Sequence, residues 1–274
     1  MFSTSMICLA FLAGCMGTLL GGTFSFITYG VLGALGVAAS FSGVDMTWYN
    51  TVAMGVFFVP AVMFNAAVLA TPVAALRYDI KGHEIVKSLA LTHDFLIVLV
   101  GGIGGVIGYT CLTLIGKLGI NCDQGALTIV ITGIIYRLIF NRGQKYSRDG
   151  LRLVKRGGLP FWGYEIVLGV VIAAVAAYFV EITGNVSIGF YMSAIVLLLQ
   201  FIDPYVPCTH QISMVAGYAM GATHSFAIAI VFGVIAELIN TIFGLVLNND
   251  NGTHIDPPAV AIATCSLIIF ALFG

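Results

Sequence analysis

Every Lys and Arg of this chain, 11 among 274 residues, lies between Arg77 and Arg156, so the stretches before and after that interval carry no basic side chain apart from histidine. A water-soluble domain covers its surface with charge, at about a quarter of its residues. Here charged residues make up 8% and hydrophobic residues 59%, with a mean hydropathy of +1.05. Such a surface must be solvated by lipid. The apolar stretches, such as Phe95–Ile115 and Phe226–Leu247, run without polar alternation. That excludes the strand pattern of a lipid-facing barrel and predicts helices, which satisfy their own backbone in hydrocarbon. The expected class is all-α, a polytopic transmembrane helical bundle in the cell membrane.

Candidate apolar segments are 5–22, 23–40, 52–76, 93–116, 125–141, 161–181, 186–202, 206–222, 224–247 and 257–273. Met1–Met6 has no Lys or Arg, so the first segment is expected to be a retained span rather than a cleaved signal. Residues 142–156 hold Arg142, Lys145, Arg148, Arg152, Lys155 and Arg156 against one acid, Asp149. The positive-inside rule makes this stretch cytoplasmic. Working back through 125–141 and 93–116 puts Arg77–His93, with Lys81 and Lys87, on the same side. Asn248–Asp256, which lacks Lys and Arg, is expected outside if 206–222 does not fully cross. The six cysteines are scattered without a Cys-x-x-Cys pair, so they read as packing residues rather than a zinc or redox site. No cofactor motif is present: Gly101–Gly105 lies deep in an apolar run and reads as helix packing. Nothing in the charge pattern suits nucleic acid.

An internal repeat runs through the chain. Thr92-His93-Asp94-Phe95 matches Thr223-His224-Ser225-Phe226, and the register continues through Gly102/Gly233 and Thr110/Thr241. Asp123-Gln124-Gly125-Ala126 then matches Asp256-Pro257-Pro258-Ala259, and Val59-Pro60 resembles Val206-Pro207. This predicts transmembrane repeats at 1–142 and 157–274, joined by a basic cytoplasmic linker at 143–156. If both Thr-His elements start on the cytoplasmic side, the copies are two parallel tandem repeats of about four spans each, related by an axis along the membrane normal. Asn65 and Pro72 interrupt 52–76, and Pro207, His210 and Gln211 interrupt 206–222. Each repeat is therefore expected to carry a broken or re-entrant helix, because irregular backbone at membrane depth survives only where protein or water covers it. The plainer alternative is an ordinary span kinked by proline.

Ionisable groups inside a membrane are costly and demand a partner or a water path. Glu237 is the clearest, with Asn240 three residues on along the same helix face. It is the candidate ion or solute ligand, or else a neutral glutamic acid tying two helices together. Thr209, His210, Gln211 and Ser213 form the second candidate group, since broken helices expose free backbone groups that coordinate ions. Asn65 and Thr71 are their counterparts in the first copy. Asp123 and Asp256 precede spans at equivalent places, as helix N-caps or as a pore mouth of paired carboxylates. His254 with Asp256 supplies two metal ligands but no third.

Val59-Pro60 with Asn65, the paired Thr-His starts and His254-Ile255-Asp256-Pro257-Pro258-Ala259 give the chain a loose resemblance to prokaryotic duplicated multi-pass membrane proteins of unknown function. The resemblance implies the membrane duplication and nothing about activity. The expected function is a transporter or channel for a small solute or ion, with its path at the interface of the repeats. The alternative is a non-catalytic membrane subunit of a larger complex. No hydrolase or metalloprotease pattern appears, so no enzyme activity is expected. The expected partners are the lipid bilayer, the solute, and either a second copy of the chain or other membrane subunits, since small-residue faces suit such contacts.

Overall fold

The computed structural model describes residues 3–141, 146–248 and 251–274. Among them the chain is all-α, with no strand. The helices are α1 Thr4–Leu20, α2 Gly22–Ser40, α3 Met63–Ala75, α4 Phe95–Leu118, α5 Gln124–Phe140, α6 Arg148–Arg156, α7 Leu159–Thr183, α8 Ile188–Val196, α9 His210–Thr223, α10 Phe226–Phe243 and α11 Pro257–Phe273. Gly22–Ser40, Phe95–Leu118, Leu159–Thr183 and Phe226–Asn248 are long and apolar enough to cross a membrane, at 19, 24, 25 and 23 residues. Large apolar side chains such as Leu35, Leu99, Ile103, Val167, Val171 and Val231 face outward, the surface expected of a bundle solvated by hydrocarbon. Arg142 and Lys145 of the basic stretch lie outside the described residues.

Local chemistry explains where the helices begin. The Asp94, Asp123 and Asp256 side chains accept from the backbone N–H of Leu96, Ala126 and Ala259 at 2.8–2.9 Å. Ser147 and Ser225 do the same for Gly150 and Ile228. Each satisfies a donor that a helix start leaves open. His93 (φ 48°) and His224 (φ 52°) are the non-glycine residues with left-handed backbone among those described. Both sit in the turn before a long helix, where Thr92 and Thr223 hydroxyls accept from the N–H of Asp94 and Ser225. The matched Thr-His motif is thus one turn geometry used twice.

Small residues set the helix spacing. A Cβ on Gly14 would lie 2.3 Å from the Gly101 carbonyl oxygen, and one on Gly105 would lie 2.2 Å from that of Ala10. α1 and α4 therefore touch backbone to backbone, antiparallel. α7 and α10 meet through Gly169 on Val234 and Gly233 on Ala173. α3 is packed against α1 and α4 as α9 is packed against α7 and α10. At 13 and 14 residues, α3 and α9 are too short to span alone, and both are buried on almost every side.

Corresponding helices also meet each other, α2 with α8 and α5 with α11. The Asp123 N–H donates to Ser266 Oγ at 2.8 Å, Gly133 lies against Ile255, and the Asn141 amide donates to Asn251 at 3.2 Å. α5 and α11 therefore run antiparallel. So do α2 and α8, with Phe24 beside Phe201 and Gly33 beside Tyr191. This overturns the expectation of two parallel copies, because copies the same way up would align these pairs in the same direction. The physical reason lies in the number of passes. Gly217 and Gly221 of α9 pack on Val186, just before α8 begins, so α9 leaves at the end where α8 starts. Each half thus holds five helical stretches that alternate in direction, and an odd count turns the next half over.

The same contacts move two further elements. His224 begins α10 at the end opposite to His93, so the Thr-His starts do not share a side. Asn248–Asp256 was expected on the side away from the basic stretch. Instead its described residues lie with the described part of that stretch: Ser147 N–H donates to the Val246 carbonyl at 2.6 Å, and Arg137 donates to the Leu247 and Thr253 carbonyls, each at 2.9 Å. Asn251 is also buried.

Candidate functional site

Two cavities approach each other along the seam between α1–α5 and α7–α11. The upper cavity, about 260 Å³, lies at the end where α5 and α8 begin and is lined by Tyr29, Asp123, Ser187, Tyr191 and Tyr218, among others. The lower cavity, about 430 Å³, lies at the opposite end against residues 83–86, and includes Gln200, Cys208, Asn240, Asn248 and His254. Phe26, Ile129, His210 and Asp256 line both. Between the two spaces stands an aromatic partition. The Phe26 ring centroid is 4.4 Å from that of His210, 5.4 Å from Phe190 and 6.2 Å from Phe64.

His210 reaches this place because α9 starts there: Pro204, Pro207 and the non-helical run 206–209 delay the helix until membrane depth. Asp256 reaches it because α11 likewise starts deep. Its Oδ2 accepts from Ala259 N–H, and its Oδ1 lies 3.2 Å from His254 Nε2. Asp123 caps α5 through Oδ1, and its Oδ2 accepts from the Tyr218 hydroxyl at 2.8 Å. The formally charged side chains lining the two cavities are Asp123, Asp256 and Glu84, all acidic; no Lys or Arg lines either among the described residues. Glu84 lies in the loop closing the lower cavity. Its hydrogen bond to the Lys87 ammonium, 2.9 Å away, holds its carboxyl below the ordinary carboxylate range.

Glu237 lies one layer behind the seam. It is 3% exposed and lines neither cavity. The Gln211 amide donates to its Oε2 at 2.5 Å and to the Cys208 carbonyl at 2.8 Å, and the Thr241 hydroxyl donates to Oε1 at 3.4 Å. Glu165 of α7 is a second carboxyl in its neighbourhood. Asn240 lines the lower cavity. Thr209 and Ser213 line a separate, largely apolar cavity of about 290 Å³ among α7, α8 and α9, where Ser213 is hydrogen-bonded to Ser193 at 2.6 Å. Asn65 lies in the first half's core, donating to the Tyr136 hydroxyl at 3.2 Å and accepting from Thr132 at 2.7 Å. Thr71 donates to its own helix at Ala67. The structure therefore brings His210, Asp256, Asp123 and Asn240 to the seam. Gln211 and Glu237 stand behind it, and Thr209, Ser213, Asn65 and Thr71 are elsewhere.

Residues that sequence reasoning missed include Glu165 and Arg137. Each is an ionisable group within an apolar helix, the signal that singled out Glu237. Arg137 is 3% exposed and grips Thr253 and Leu247. The aromatic walls Phe26, Tyr29, Tyr191 and Tyr218 were also missed, since aromatic residues on apolar helices carry no distinguishing pattern. Among the described residues no three His, Cys, Asp or Glu side chains come together as metal ligands.

Residues 159–273 match a family of unknown function (DUF7973). No curated protein and no solved structure matches the chain. The matched stretch runs from the first residue of α7 to the last of α11.

Proposed function

We propose that this protein is a membrane transporter or channel for a small solute or ion, with no covalent chemistry of its own, and that its path follows the seam between two inverted copies of one five-helix unit. The observation that carries this reading is the pair of cavities from opposite ends, meeting at Phe26, His210, Ile129 and Asp256. Inverted repeats with broken helices at the seam are a recurring transporter design, because the two halves can rock about a central site. Here the broken elements are α3, preceded by π-helical Tyr49–Phe57 and a turn, and α9, preceded by 202–209. The family match supports the five-helix unit, since it covers one of the two halves from end to end.

In this reading His210 and Asp256 sit at the solute site and Asn240 lies on the lower approach. Glu237 carries the coupling ion, with Glu165 as its neighbour and Gln211 as the link to the seam. The experiment is reconstitution of the purified chain into liposomes, with uptake of labelled small solutes and ions under imposed proton or sodium gradients. Ala126→Phe fills the upper cavity and is expected to abolish any flux seen with the wild type. Equal flux through the filled cavity rejects the seam as the path. No flux for any solute favours the other reading, a non-catalytic subunit of a larger membrane complex.

A further inference from the structure

We propose that the upper cavity binds a small organic ammonium cation, held by the carboxylate of Asp123 and the aromatic rings of Phe26, Tyr29 and Tyr191, with the carboxylate of Asp256 at the inner end of the same cavity. This rests on the transport reading only for what becomes of the bound cation; the binding site stands on its own geometry. Three observations carry it.

The first is charge. Among the described residues, Asp123 and Asp256 are the formally charged side chains on this cavity. The N-termini of α5 and α11 lie here, and a helix N-terminus favours anions. Each start already carries one of these two aspartates as its cap, and a carboxylate there opposes an anionic solute. Hydrogen bonds from Tyr218, His254 and the helix backbones hold the two side chains in place.

The second is the wall. Tyr29 packs edge-on to Tyr191 at 5.6 Å and to Phe190 at 6.2 Å, and Phe26 packs on Phe190 at 5.4 Å. Aromatic faces attract a positive charge through the ring quadrupole and are the usual seat of alkylated ammonium groups.

The third is size. At about 260 Å³ the cavity falls below the roughly 300–1,000 Å³ of sites that take drug-sized ligands. It suits a cation of a few heavy atoms.

The test is thermal unfolding of the full chain in detergent with ammonium, methylammonium, tetramethylammonium or choline at millimolar concentration, against dimethylbutanol, the uncharged carbon isostere of choline. The melting temperature is expected to rise with the alkylated cations and to stay unchanged with the isostere. Asp123→Asn keeps a side-chain oxygen for the cap but removes the charge. It is expected to weaken cation binding by about 10- to 100-fold. Phe26→Leu, which keeps the partition filled, is expected to weaken it by about tenfold. Equal stabilisation by the isostere, no stabilisation by any of the four cations, or wild-type affinity in Asp123→Asn overturns the proposal. Uptake of a neutral solute by a protein that binds no ammonium ion sinks this inference and leaves the transport reading standing. Ammonium binding without flux does the reverse.

Discussion

Replacing Phe26 by Ala is the sharpest test of the partition. The ring is nearly buried, at 8% exposure, and is packed on three others, His210, Phe190 and Phe64. Each ring contact is worth about 0.5–1.5 kcal/mol beyond area burial, and a buried Phe→Ala change costs about 3–5 kcal/mol in total. The ring is also what lies between cavities of about 260 and 430 Å³. Phe26→Ala should therefore do two things at once: lower the melting temperature and join the two spaces. The assay is decay of an imposed potassium gradient across proteoliposomes, beside melting in detergent. Wild type and Phe26→Leu should hold the gradient, because the site stays filled. Phe26→Ala should leak. A variant that is destabilised by that amount yet holds the gradient as wild type does would refute Phe26 as the barrier and show that the closure lies elsewhere.

Three further outcomes are expected. Glu237→Gln keeps the size of the side chain and a partner for Gln211, so it should fold normally and move solute downhill while losing accumulation driven by a proton gradient; retained accumulation would remove Glu237 from the coupling. Arg137→Met takes away donors to Thr253 and Leu247, leaving two buried carbonyls short of a partner, and should cost about 2–4 kcal/mol, read as a lower melting temperature. The Glu84 carboxyl is depressed by Lys87, so its stabilising contribution is full above the ordinary value of 4.5 and is lost as pH falls through the lowered folded value. Melting temperature below pH 4.5 should therefore drop less in Glu84→Gln than in wild type, and parallel curves would show that the Lys87 contact contributes nothing.

Much of the helical plan was legible because its signals are local. Asp256-Pro257 reads as a cap followed by a first-turn proline, and α11 starts there. The Thr-His pairs read as helix starts, and each is the same left-handed turn. Orientation was not legible in the same way. The positive-inside rule needs Lys or Arg to count, and the chain after Arg156 has none. The motif was then asked to report a side, although a turn geometry is the same at either face of a bilayer. The candidate site divides along similar lines. His210, Asn240, Asp123 and Asp256 stood out as polar residues in apolar surroundings, and they reach the seam. Asn65 and Thr71 gave the same signal and proved to be internal ties. A polar residue in a membrane helix must be satisfied somewhere, and sequence does not say whether a neighbour or a solute does it.

Inversion also bears on what one half can do alone. The second half supplies His210, Tyr218, Tyr191 and Asp256 to the upper cavity, and the first half supplies Phe26, Tyr29 and Asp123. Neither half can wall the cavity by itself, and the antiparallel contacts of α2 with α8 and of α5 with α11 are what bring the sets together. The family match covers only 159–273. A chain made of that unit alone would need a second copy inserted the other way up to build the same seam. The halves differ in their polar residues: Glu237 and His210 of the second align with Val106 and Met63 of the first.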